Sequence, residues 1–103
     1  MAEPISDATR ELGLRLAKAR VELGATQEQL GDFVGIDGTT VGKIERGERN
    51  TNLHNIIRLA YGLGIDPGVL ITKMTVKMVP GREPAPSAYD KMRELRRRRG
   101  LAD

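Results

Sequence analysis

The sequence contains no cysteine. That excludes a disulfide frame, a thiolate metal site and a cysteine nucleophile, and it suits a reducing cytoplasm. Aromatic side chains are limited to Phe33, Tyr61 and Tyr89, too few for the stacking platforms that bind single-stranded nucleic acid. No apolar run approaches the roughly 20 residues that a membrane span needs. The opening "MAEPISDATREL" lacks a basic region followed by an apolar stretch, so it does not read as a signal peptide. His54 is the single histidine, and no carboxylate cluster stands at ligand spacing, so no metal site is expected. Ser6 and Ser87 have no nucleophile context, and one histidine leaves little for a catalytic triad. The 12 glycines form no phosphate-cradling motif. The expectation is a protein that is not an enzyme and carries no cofactor.

What is present is a chain of 103 residues, enough for one small domain and an extension. The net charge of +3 conceals an asymmetry: eight Lys/Arg face ten Asp/Glu up to Ile71, and nine face four from Thr72 onward. A basic extension on a near-neutral domain points to an acidic partner, with nucleic acid the first candidate. The run Arg96 to Arg99 reads as a phosphate-binding arm or as a solvated end.

Residues 7–72 read as five short helices. Asp7 can cap the first, in which Leu12, Leu16, Ala19 and Leu23 recur at helical spacing before Gly24. Thr26 and Gln29 form a capping-box pattern ahead of Leu30, Phe33 and Val34, and Gly35 closes that second helix. A third helix spans Asp37 to about Arg46 and stops at Gly47. Asn52 caps a fourth, carrying Leu53, Ile56, Ile57, Ala60 and Leu63, with Gly64 after it. Asp66 and Pro67 open a short fifth. The extension, residues 73–103, reads as an alternating segment "KMTVKMV" that could form a strand with Met74, Val76 and Met78 on one face. The linker "PGREPAPSA" and an Arg-rich helix bearing Tyr89, Met92 and Leu95 follow.

The third helix is built from poor material. Gly38, two β-branched threonines and Gly42 take four of the five positions 38–42, and glycine costs about 1 kcal/mol against alanine inside a helix. At about 100° per residue, Val41 and Ile44 face a core, while Thr39, Gly42, Lys43 and Arg46 lie on the opposite arc with Gly38 and Thr40 on its flanks. On this reading Gly42 lets the backbone approach a groove closely.

Gly35 between two closely spaced helices is the helix-turn-helix layout. The stretch "TQEQLGDFVGIDGTTVGKIERGERN", followed by "LHNIIRLAYGLGIDP", resembles the lambda-repressor-like helix-turn-helix domains, also called the XRE family. The resemblance runs from about Leu14 to Leu70 and rests on Thr26-Gln27, Leu30, Gly35, Val41, Ile44-Glu45, Gly47 and Leu63-Gly64. It implies that Gln27 contacts a DNA phosphate and that Asp37, Gly38, Thr39, Gly42 and Lys43 read bases. It also implies that Arg46, Arg49, Asn50 and Thr51 touch the DNA backbone, and that Glu45 pairs structurally with Arg20. The sequence departs from the family pattern at Gly31, where alanine is usual, at Thr51, where proline is common, and at Gly38 and Gly42, where side chains often meet bases.

The expected fold is therefore all-α, a five-helix helix-turn-helix domain over 7–72 with a basic extension. The expected function is that of a sequence-specific transcriptional regulator, a repressor binding double-stranded DNA as a homodimer. The alternative is an antitoxin or other protein-interaction module that binds a protein partner through the extension.

Overall fold

In the computed structural model, described for residues 2–81, 85 and 87–100, the elements are helices: α1 (Asp7–Leu23), α2 (Gln27–Val34), α3 (Gly38–Glu45), α4 (Leu53–Leu63), α5 (Gly68–Ile71) and α6 (Ala88–Arg98), with a 3₁₀ turn at Val76–Met78. Helices α1 to α5 form the domain and α6 lies in the extension. Among the described residues, no helix is long and apolar enough to cross a membrane.

The helix ends follow from local chemistry. Ser6, not Asp7, caps α1: its hydroxyl accepts from the Thr9 N–H at 3.0 Å, and Thr9 Oγ1 accepts from the Ser6 N–H at 3.0 Å. Asp7 instead occupies the first turn, where its charge suits the positive end of the helix. Thr26 and Gln29 form the expected reciprocal cap on α2. Asn52 caps α4 by accepting from the Asn55 N–H at 2.8 Å. Gly24, Gly35 and Gly64 end α1, α2 and α4 in the left-handed region, where a Cβ is costly.

The core joins Leu12 and Leu16 of α1, Leu30 and Val34 of α2, Ile36 of the turn, Val41 and Ile44 of α3, Leu59, Ala60 and Leu63 of α4, and Leu70 of α5. Ala19, Ile56, Ile65 and Met74 pack against it. Four expected core residues are elsewhere. Phe33 is 75% exposed, because α2 buries the side carrying Gly31, Leu30 and Val34 and turns Phe33 away. Leu23 is 51% exposed at the end of α1. On α4 the buried side holds Leu59 rather than Ile57, and both Leu53 and Ile57 are exposed. Leu23, Phe33 and Tyr61 line an open groove instead.

The expected strand is absent. Arg15 holds the end of α5 through its Nη1, which donates to the Thr72 and Val69 carbonyls at 2.8 and 3.3 Å. Lys73 then takes a left-handed conformation, φ 63°, and returns the chain so that Met74 packs on the core. Val76–Met78 closes into the 3₁₀ turn, with the Met78 N–H donating to the Thr75 carbonyl at 3.0 Å. The alternation in "KMTVKMV" therefore reflects one methionine packed against the core and a turn. The Arg-rich helix exists as expected, while Arg82, Glu83, Pro84 and Pro86 of the "PGREPAPSA" linker lie outside the described residues.

Candidate nucleic-acid interface

The interface is built from α2, the turn after it, and α3. Gly35 at φ 75° reverses the chain, the Ile36 N–H donates to the Gly31 carbonyl at 2.9 Å, and the Ile36 side chain plugs the core. A Cβ on Gly31 would fall on the Ile36 carbonyl oxygen, so the tight turn requires glycine where the family pattern has alanine.

The same close packing explains the composition of α3. A Cβ on Gly38 would lie 2.9 Å from Glu28 Cα, and one on Gly42 would lie 3.0 Å from Gln27 Oε1 and 3.2 Å from a terminal nitrogen of Arg46. The first turn of α2 thus crosses directly over the glycine side of α3. Gly42 is buried, not open to a groove as the helical wheel implied. The wheel misplaced it because it distinguishes core from non-core, whereas α3 has three sides. One side is the core (Val41, Ile44), one faces α2 (Gly38, Gly42, Glu45), and one faces outward (Thr39, Lys43, Arg46).

The glycine side lets Gln27 reach Glu45. Gln27 Nε2 donates to Glu45 Oε1 at 3.0 Å, while Arg20 grips the same carboxylate through Nε at 2.6 Å and a terminal nitrogen at 2.9 Å. Arg20 also donates to the Ala25 carbonyl at 2.8 Å, ahead of α2. The side chains of Arg20 and Glu45 are only 16% and 6% exposed. The hydrogen bond to Glu45 and its negative charge hold Arg20 protonated above the ordinary arginine value, against the opposing effect of burial. The expected Arg20–Glu45 pair is therefore present, and it ties α1 to α3 and, through Gln27, to α2.

The outward side carries Thr39, exposed, and Lys43, half-buried. Asp37 precedes α3 and makes no side-chain capping bond. Asp37, Gly38, Thr39 and Gln27 line one depression together with Glu28 and Asp32, so acidic groups flank the start of α3. Arg49, Asn50 and Thr51 line a second depression with Thr40, Asn52 and Asn55, at the start of α4. Thr40 and Asn55 were not singled out from the sequence, although the wheel had placed Thr40 on a flank. Arg46 is exposed but ion-paired to Glu48. The loop between α3 and α4 is held from behind: the Gly47 carbonyl accepts from the Ile5 N–H at 2.8 Å and from buried Thr9 Oγ1 at 2.9 Å.

A capped short helix, a glycine turn and a following helix with a polar outward side define a helix-turn-helix. The family model described as Helix-turn-helix (HTH_3) matches residues 16–70, and the chain belongs to that family. The control protein C.SmaI of Serratia marcescens is 38% identical over 56 residues, covering 54% of this chain and 67% of that protein. The crystal structure of the restriction-modification controller protein C.AhdI from Aeromonas hydrophila is 42% identical, with a TM-score of 0.59 over 60% of this chain and 94% of that one. The P22 c2 repressor, solved in complex with a synthetic operator, is 30% identical, with a TM-score of 0.57 over 59% and 92% of the two chains. The chain spans 55% to 67% of the length of the curated relatives it matches. It is a DNA-binding protein of the transcription-regulating class.

Proposed function

We propose that the protein is a sequence-specific repressor that binds a two-fold operator as a homodimer. The observation carrying this reading is the outward side of α3, polar and uncovered, on a scaffold whose turn and ion pair fix its tilt. The major groove of duplex DNA, about 12 Å wide, admits one helix. In it, Thr39 offers a hydroxyl and a methyl to a base edge, and Lys43 reaches a guanine acceptor or a phosphate. Asp37 would accept from a base amino group and repel phosphate, which penalises wrong registers. The N-terminus of α2, with Gln27, meets a phosphate through backbone N–H groups. Arg49, Asn50 and Thr51 meet the backbone on the other side, and Arg46 does so on releasing Glu48.

Homodimerisation is supported by apolar surface that the domain does not bury: Val69 and Ile71 on α5, and Leu53 and Ile57 on α4. Two copies would set their α3 helices about 34 Å apart, one turn of DNA, and repression would follow from occlusion of a promoter. On this reading the protein works in the cytoplasm, where such an operator would lie. Selection of bound duplexes from a random library tests the reading in one experiment. The expected result is an inverted repeat with half-sites about 10 base pairs apart. Recovery of no enriched sequence would sink it.

A further inference from the structure

Helix α6 carries no part of the helix-turn-helix, yet it holds the densest charge in the chain. Between Ser87 and Gly100 stand Lys91, Arg93, Arg96, Arg97, Arg98 and Arg99, against Asp90 and Glu94 alone. The helix is well formed: Ser87 Oγ accepts from the Asp90 N–H at 3.1 Å, and all the residues from 87 to 100 are exposed. Arg98 and Arg97 turn to the same Glu94, at 3.3 and 3.9 Å, in ion pairs that are more than half exposed and therefore exchange readily with water or another anion. Arg96 to Arg99 take four consecutive positions. At about 100° per residue they ring the end of the helix rather than form one side. The negative end of the helix dipole, about half a charge, offsets little of this.

A ring of cations at the end of an exposed helix matches a polyanion of regular charge spacing. Duplex DNA carries one negative charge per roughly 1.7 Å of axis, so one helical turn of 5.4 Å spans about three phosphates. The domain itself needs such help, since residues up to Ile71 carry eight cations against ten anions and acidic groups flank the start of α3. The chain from Val79 to Ala88 keeps α6 within about 30 Å of the domain, which raises its effective concentration near bound DNA to the millimolar range.

We infer that α6 is a second DNA-contacting element, an electrostatic arm that grips phosphates beside the half-site held by α3. The inference rests on the DNA-binding reading above. The arm supplies affinity and leaves the choice of sequence to α3.

The test uses the full chain with Arg96, Arg97, Arg98 and Arg99 all changed to Gln, and a second variant with all four changed to Lys. Each is titrated with the selected operator duplex and with a scrambled duplex over a range of KCl, and circular dichroism checks helicity. Each phosphate released flattens the log–log salt dependence by about 0.9. The glutamine variant is expected to lose two to four such steps while keeping the parent's ratio between operator and scrambled DNA. The lysine variant is expected to keep the parent's slope. Equal slopes for parent and glutamine variant, with operator binding intact, overturn the arm alone. A glutamine variant that no longer distinguishes operator from scrambled DNA overturns it too. A parent chain that binds neither duplex at low salt takes down the DNA-binding reading itself, and the arm with it.

Discussion

The glycines show how single residues decide the architecture. Gly13 of α1 is buried, and a Cβ there would fall on the Glu45 and Ile44 carbonyl oxygens; at Gly31 it would fall on the Ile36 carbonyl. Those neighbours are backbone and cannot yield. At Gly42 the neighbours are the far ends of Gln27 and Arg46, which can move by a few tenths of an ångström. Alanine there would also recover about 1 kcal/mol of helix propensity. Gly31→Ala and Gly13→Ala are therefore expected to lose roughly 1–3 kcal/mol, the usual penalty of overpacking, while Gly42→Ala stays close to the parent in urea unfolding. The account of α3 is wrong if Gly42→Ala is as damaging as the other two.

At the scale of the element, α3 is oriented by one carboxylate shared among three helices. Removing Glu45 leaves Arg20 and the Gln27 amide, both partly buried, without their acceptor. Breaking a buried pair by deleting one partner costs on the order of 3 kcal/mol or more. Glu45→Ala should thus lower the melting temperature by at least about 12 °C in a domain of this size. A melt that superimposes on the parent's would remove Glu45 from the role given it here. Because the folded-state pKa of Arg20 is raised, its contribution is complete below the ordinary arginine value and would be lost only as pH rises through the higher folded one. Arginine already titrates far above the working range, so on the arginine side the pair brings no pH dependence to it. The helix ends were legible in the sequence because capping is local: Thr26, Gln29, Asn52, Gly35 and Gly64 all act where expected. The stripes were less so. Phe33 and Ile57 sit at plausible helical spacing, and only the directions from which neighbouring helices approach, α3 and α4 for α2 and chiefly α2 for α4, decide that Leu30 and Leu59 go inward instead.

For the whole molecule, the proposed homodimer needs an apolar contact surface. Val69 and Ile71 are about half exposed on a four-residue helix whose Leu70 is fully buried. Changing both to Glu leaves Leu70 and Met74 in the core, so the domain should stay folded. The proposed dimer should become a monomer in sedimentation equilibrium, with weaker operator binding, as charges at an apolar contact are costly to desolvate. A double variant that still sediments as a dimer would place the contact elsewhere, with Leu53 and Ile57 of α4 the next surface to change. The segment "KMTVKMV", expected from its alternation to form a strand, instead turns back on its own domain through Lys73 and Met74. In the proposed dimer it would serve as a covering turn rather than as part of a shared sheet.

The amino-acid order was enough for the all-helical class, the helix-turn-helix register and the caps of α2 and α4, and the family resemblance supplied the Arg20–Glu45 pair. Each rests on residues a few positions apart or on a motif of fixed spacing. The tertiary structure alone decided which side of each helix is buried and where the chain after α5 goes. It also decided that Gly42 lies beneath Gln27 rather than against a groove. Periodicity gives a helix two sides, but a third side appears only when a second neighbour packs against it. Here that neighbour is the first turn of α2, brought over α3 by the turn at Gly35.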